Sequence, residues 1–478
     1  MASILIGLIL LVVAKKSSAT NTTCDAACRA QTAADWEAEQ HAQADFGFYT
    51  VPSNFSPDLD PGELLYVEES TDLANYTIPT GLSLSRIIYT TSNLNGTTVP
   101  TSAYVLWPYT PFSPSGSSSG SQNESYPMVA WAHGTSGLHK KCAPSNYRNL
   151  QYHFMVPFEL ALQGMVVVAP DYAGLGFDTL PSGEHIGHAW LAGPSQATDL
   201  ANAITAARTA FPQYLKPSGP FVAMGHSQGG QATWALSERM ADKPIEGYKG
   251  TVAVAPTNNQ IRQAEVAEST NSSEPWAVTA RTAGPKLAAA VTAVFPSYNF
   301  SGLTDEAYHR WNDILTPLSG CVPTDTFLFS DLAPEVLTKP NWTDDEAVQA
   351  YSKLIDTGRK QFKGPMLIVA GDTDGIVSID DLENAVDDTC DMLDSESWNE
   401  SIEMVTYAQM NHFPIIKASS PRWMDWVKAR FSPDSSTPSV GCTKKRVTGM
   451  RETYGPQVPS PNYLVGWAPG NEFWKFLL

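Results

Sequence analysis

FVAMGHSQGGQATWALSERM, residues 221–240, is the stretch on which the reading of this chain turns. Phe221–Met224 is continuously apolar, as a strand buried on both faces would be. Residues 231–240 then carry a helical pattern. Between them, GHSQGG (225–230) sets Ser227 inside G-x-S-x-G. At a strand-to-helix junction this motif is a nucleophile elbow, a sharp turn that exposes the serine hydroxyl. Gly225, Gly229 and Gly230 leave room for backbone to approach closely. The first amides of the following helix, at its positive end, face any oxyanion formed at Ser227. An ordinary glycine-rich turn is the alternative, and the flanking strand and helix weigh against it.

Outward from this point, other short apolar runs read as buried strands: 127–132 (PMVAWA), 165–169 (MVVVA), 251–255 (TVAVA) and 366–370 (MLIVA). Segment 402–407 (IEMVTY) supplies another. Leu200, Ala203, Ile204, Ala207 and Phe211 recur at one helix face. Upstream, 82–91 and 101–107 alternate as antiparallel strands at a sheet edge, whereas 20–80 is loop-rich. Strands alternating with helices predict an α/β class, a mostly parallel sheet with helices on both faces. With the elbow, that is the α/β-hydrolase fold. The alternation breaks over 258–362, a stretch too long for a connecting loop and containing the helical run 285–295. It is read as an inserted helical cap, leaving 20–257 and 363–478 as the core.

The chain has 478 residues and is 42% hydrophobic, enough to bury a large core. A net charge of −19 argues against nucleic acid and anionic membranes as partners. Residues 4–14 form an apolar run too short to span a bilayer. With Ser17, Ser18 and Ala19 behind it, 1–19 reads as a signal peptide cleaved after Ala19. Lys15 and Lys16 follow that run rather than precede it, so a membrane anchor is the competing reading. Glycosylation sequons at Asn21, Asn54, Asn75, Asn95, Asn123, Asn271, Asn299, Asn341 and Asn399 support a secreted, extracellular protein. Segment 113–125 is a low-complexity exposed loop. Six cysteines fit disulfides in an oxidising compartment. Cys24 and Cys28 read as a small disulfide or part of a flexible N-terminus, and no zinc spacing is present.

A serine hydroxyl needs a base, and the base needs a carboxylate to orient it. On this fold the order is Ser, acid, His. His412, in QMNHF after strand 402–407, is the histidine downstream of the cap in the right position. His309 falls within the cap. His226 adjoins the nucleophile but is expected to point away from it, and His133, His185 and His188 read as turn or core residues. After strand 366–370, GDTDGIV (371–377) offers Asp372 and Asp374; Asp374 is preferred, being far enough out to reach His412. One oxyanion donor is the backbone N–H of Gln228. For the second, HGT (133–135) and DYAGLG (171–176) compete, through an amide such as that of Gly134 or through the hydroxyls of Thr135 or Tyr172.

These motifs, together with FYTVPSNF (48–55), CAPS (142–145) and ALQGMVVVAPDYAGLG (161–176), resemble the lipase A-like fungal secretory lipase family over most of the mature chain. The resemblance implies Asp374 as the acid, since the family's acid precedes a pattern like Gly375-Ile376-Val377. It implies that Asp171 offers its backbone amide to the oxyanion, and that Cys142 pairs with Cys321 and Cys390 with Cys442. WAHGTSG (131–137) departs from the family's pattern, as does Gln228, where glycine is common.

The expected activity is carboxylic ester hydrolysis on a lipid or other hydrophobic ester, by a monomer that needs no metal or organic cofactor; a lipid–water interface is a candidate partner, and whether the cap responds to one is left open. The alternatives are an esterase or acyltransferase acting on a specialised metabolite or plant-derived ester, a peptidase, or a catalytically inactive binding protein.

Overall fold

A computed structural model describes residues 23–39, 47–113, 125–151, 155–396, 398–433 and 438–451. The segment read as a signal peptide, the sequons at Asn21 and Asn123 and most of the low-complexity loop lie outside these residues. Among the described residues ten strands make one sheet: β1 (Leu64–Glu68), β2 (Leu82–Ser92), β3 (Thr98–Pro108), β4 (Met128–Ala132), β5 (Val166–Pro170), β6 (Phe221–His226), β7 (Tyr248–Val254), β8 (Pro365–Gly371), β9 (Ser401–Tyr407) and β10 (Gly441–Val447). Their order is β1-β2-β3-β5-β4-β6-β7-β8-β9-β10. The pairings from β1 to β5 are antiparallel, and all those from β5 through β10 are parallel.

The apolar runs are continuous because both faces of the central strands are buried. In β4, Met128, Ala130 and Ala132 enter one core while Val129 and Trp131 enter the other. β6 divides the same way, with Phe221 and Ala223 against Val222 and Met224. The first core is closed by α3 (Gly193–Ala210), whose Leu200, Ala203, Ile204 and Ala207 form the predicted stripe. The second is closed by α2 (Val156–Leu162) and by the helix Ser420–Phe431, through Phe158, Leu160, Trp423 and Val427. Helices therefore cover both faces.

Two elements lie where the sequence reads as loop: α1 (Ala26–Ala38) and edge strand β1. β1, not β2 or β3, is the outer strand on that side. The other edge, β10, is almost entirely exposed and strongly basic, so its sequence carries no apolar alternation. Ion pairs hold it instead, Lys444 to Asp387 and Lys445 to Glu403, with the Cys390–Cys442 disulfide. The other cysteines pair as Cys24–Cys28 and Cys142–Cys321.

Helix α4 (Gln228–Asp242) follows β6. Between β7 and β8 the chain is helical, beginning with α5 (Gln260–Thr270), α6 (Pro275–Thr282) and α7 (Gly284–Val294). These helices share a separate apolar cluster, including Leu287, Val291, Trp311 and Tyr351, into which Trp190 and Leu191 reach from the loop before α3.

Candidate active site

β6 passes into α4 through a single residue. Ser227 has φ 58° and ψ −122°, a conformation that costs a non-glycine residue about 1–3 kcal/mol. Close packing around the turn holds it there. A Cβ on Gly225 would lie 2.2 Å from the Gly229 carbonyl oxygen, and one on Gly229 would lie 1.9 Å from that of Ala132. The Ser227 amide donates to the Val254 carbonyl at 3.0 Å, tying the elbow to β7. Ser227 is 8% exposed and His412 1%, so the site is closed to bulk solvent.

Asp374 stands on the loop after β8. One carboxylate oxygen, Oδ1, accepts the amides of Ile376 at 2.8 Å and Val377 at 2.9 Å. Oδ2 faces His412 Nδ1 at 2.8 Å. With Asp374 ionised, Nδ1 carries the proton and Nε2 keeps its lone pair. Asn411 joins the two loops, its Oδ1 accepting both the Gly375 amide at 2.9 Å and the His412 amide at 2.6 Å. Asp372 does different work: it accepts the Gln409 amide at 2.6 Å and pairs with Arg446 of β10.

His226 does not point away from this site. Its Nε2–H donates to the His412 carbonyl at 2.9 Å, and the two rings lie 4.7 Å apart. The residue before the serine thus anchors the histidine loop beneath the elbow. Sequence offers one signal for this: strand alternation turns His226 to the face opposite its neighbours.

The loop after β4 lies beside the elbow because β4 is the sheet neighbour of β6. Gln228 opens α4, so its amide has no acceptor within the helix. Neither the Gly134 nor the Thr135 amide makes a backbone hydrogen bond among the described residues. Thr135 Oγ1 accepts from Trp190 Nε1 at 2.9 Å, which leaves its own proton available.

Asp171 and Tyr172 do not fit the roles expected of them. The Asp171 amide donates to the Ser102 carbonyl at 2.8 Å, continuing the pairing of β3 with β5, and so is taken. Its carboxylate accepts from the Ser102 and Ser145 hydroxyls, both at 2.6 Å, and burial pushes its pKa up to about 6. The Tyr172 hydroxyl donates to the His133 carbonyl at 3.1 Å, bracing the HGT loop from behind. The Tyr172 ring stacks on His133 at 4.0 Å and on His188 at 6.1 Å.

His188 completes that support. Its Nδ1–H donates to the Ala173 carbonyl at 2.9 Å, and its Nε2 accepts from the Gln228 side-chain amide at 3.1 Å. Burial holds its pKa down at about 4, so the ring is neutral. Among the described residues, no group of His, Cys, Asp or Glu is arranged to hold a metal ion.

Such an arrangement can carry nucleophilic acyl transfer: a strained serine turn, an oriented imidazole, and amides without a backbone partner on two sides. The alpha/beta hydrolase family model matches residues 129–424, a span that includes Ser227, Asp374 and His412. Lipase A of Candida antarctica in its closed state is similar in fold, with a TM-score of 0.61 at 18% identity, covering 84% of this chain and 90% of that one. A second structure of that lipase gives 0.62 at 18% identity, over 84% and 88%. The rice cell wall degrading esterase LipA from Xanthomonas oryzae gives 0.54 at 16% identity, over 77% and 97%. No curated protein matches by sequence.

Proposed function

Since the chain belongs to the alpha/beta hydrolase family, we propose that it hydrolyses carboxylic esters through Ser227, His412 and Asp374. The 2.8 Å contact between Asp374 and His412 carries this reading, because it leaves His412 Nε2 free to take the Ser227 proton. Ser227 Oγ then attacks the ester carbonyl. Negative charge develops on the carbonyl oxygen and is met by the Gln228 amide and by the HGT loop, through the amide of Gly134 or Thr135 or through the Thr135 hydroxyl. His412 returns the proton to the departing alkoxide, leaving an acyl-enzyme. Water, deprotonated by His412, releases the acid and restores Ser227.

The helical segment 258–362 serves as a cap over the serine. Its apolar interior and the exposed Val266, Val278 and Phe327 suit a hydrophobic ester, as in a lipase. The chain is secreted and glycosylated in this reading. Three disulfides support it, as does the exposure of Asn54, Asn95, Asn271, Asn299, Asn341 and Asn399.

Fluorophosphonate labelling tests the nucleophile: the wild type takes the label and Ser227→Ala does not. A chain-length series of p-nitrophenyl esters, with and without an emulsified interface, tests the substrate class. Cleavage restricted to acetate and butyrate would reject the lipase version and leave an esterase. Turnover of aminoacyl amides without turnover of esters would reject ester hydrolysis itself.

A further inference from the structure

The acid loop has a second set of supports, and they come from the cap. Gln263 lies on α5 and is 2% exposed. Its Nε2 donates to the Ile376 carbonyl at 2.7 Å, and its Oε1 accepts the Ser378 amide at 3.1 Å. The amide of the same Ile376 is one of the two bound by Asp374 Oδ1. Asp374 and Gln263 therefore grip the acid loop from opposite sides, at residue 376. From α6, Thr279 Oγ1 lies 2.8 Å from the Gly375 carbonyl, the shorter of its two carbonyl contacts. The Gly375 amide is bound by Asn411. Residues 375, 376 and 378 are thus each held by a cap side chain.

Neither contact is needed to build the sheet, because the loop leaves β8 at Gly371. Gln263 Nε2 and Thr279 Oγ1 also have acceptors within the cap, Gln260 Oε1 at 3.3 Å and the Pro275 carbonyl at 3.0 Å. What the contacts do is fix where the Asp374 carboxylate sits relative to the His412 ring. An aspartate two residues from a free loop would sample several rotamers, whereas a loop clamped on both sides leaves one.

We propose that Gln263 is a positioning residue for Asp374, making the start of the cap (α5 and α6) part of the apparatus that orients the base rather than a lid free to swing. The inference rests on the Ser227–His412–Asp374 reading. It implies that any opening of the cap for substrate entry occurs beyond α6, since displacing α5 would pull Ile376 and Ser378 with it.

The test compares three full-length variants. Gln263→Leu removes both contacts at similar volume. Thr279→Val removes the half-buried one and is the milder lesion, available if Gln263→Leu does not fold. Gln349→Leu is the control, since Gln349 bonds only within the cap, to Glu265 and the Thr343 carbonyl. Gln263→Leu is expected to lower kcat by up to about 10²-fold, with KM changed less than about twofold, as for an interaction needed in the transition state. Thr279→Val should lower kcat severalfold, and Gln349→Leu should leave it unchanged. The downfield His412 Nδ1–H resonance should shift or broaden in the first two variants and not in the control. Folded Gln263→Leu with wild-type kcat and an unmoved resonance would overturn the proposal, as would an equal loss in Gln349→Leu. Asp374→Asn, run in parallel, separates the failures. If it is inactive while Gln263→Leu is not, the clamp alone is wrong; if it is fully active, the triad reading falls and takes the clamp with it.

Discussion

Replacing Asp374 by asparagine changes one atom, and the structure dictates where that atom goes. Oδ1 faces two backbone donors, the amides of Ile376 and Val377 at 2.8 and 2.9 Å. An asparagine NH₂ turned that way would face both of them, so the amide oxygen takes this position. The NH₂ is therefore presented to His412 Nδ1 at the 2.8 Å contact. An NH₂ only donates, so Nδ1 must accept, and the ring proton moves to Nε2. Nε2 then has no lone pair for the Ser227 proton. In serine hydrolases this tautomer error lowers kcat by about 10⁴-fold, equivalent to about 5 kcal/mol on the barrier. Stability should change little, because both backbone contacts persist and one hydrogen bond replaces another, a net difference of about 1 kcal/mol. The assay is kcat on p-nitrophenyl butyrate, paired with a thermal melt and the rate of fluorophosphonate labelling. Asp372→Asn serves as the comparison and should stay within about tenfold of wild type, because Asp372 reaches Arg446 and the Gln409 amide rather than the imidazole. A folded Asp374→Asn enzyme with near-normal kcat, or a larger loss in Asp372→Asn, would refute the reasoning.

His226→Phe keeps a ring of similar shape but removes the donor to the buried His412 carbonyl. It should cost about 1–3 kcal/mol in chemical unfolding and lower kcat; wild-type values for both would show that His226 does not anchor the base. Replacing Cys142 and Cys321 by serine frees a link spanning 179 residues, and loop entropy predicts a loss of about 5 kcal/mol. A lowered urea midpoint checks this, and an unchanged one would mean that the bond from the Val322 amide to the Ser136 carbonyl and the backbone bridge of Gly137 to residue 321 hold the junction by themselves. His188 provides a pH test. Its folded pKa, held down at about 4 by burial, lies below the ordinary histidine value of 6.5, so its contribution is fully present above pH 6.5 and is lost as pH falls toward 4. His188→Asn should therefore remove about 3 kcal/mol of pH-dependent stability across that window, and parallel wild-type and variant profiles would contradict it.

The parts of this molecule legible in its sequence are those governed by neighbours along the chain. Buried strands read as apolar runs, α3 as a stripe through Leu200, Ala203, Ile204 and Ala207, and the turn at Ser227 as glycines around a serine between an apolar run and a helical one. Reach alone favours Asp374 over Asp372, and the resemblance implies the same residue. β10 has no signature in the sequence, because ion pairs and Cys442 hold it and neither leaves a hydrophobic period. β1 is a five-residue strand in a stretch rich in Pro, Asn and Asp, whereas α1 is an alanine-rich segment (AACRAQTAADWEA) at the start of the same 20–80 span.

The oxyanion loops show where such reading stops. HGT and DYAGLG are equally plausible as strings, each a glycine-containing turn after an apolar strand. Sheet order distinguishes them: β4 adjoins β6, and β5 lies one strand further out with the Asp171 amide paired to Ser102. His226 and Gln263 belong to the same class of fact. The sequence by itself determined the α/β class and the strand–G-x-S-x-G–helix junction at Ser227, and it supplied Ser227, Asp374 and His412 as candidates in that chain order, since each depends on local sterics, periodicity or chain order. Only the tertiary structure decided which amides are already taken and which side chains hold the loops of Asp374 and His412, because a hydrogen bond between residues a hundred or more positions apart is set by packing, and neither partner's neighbours encode it.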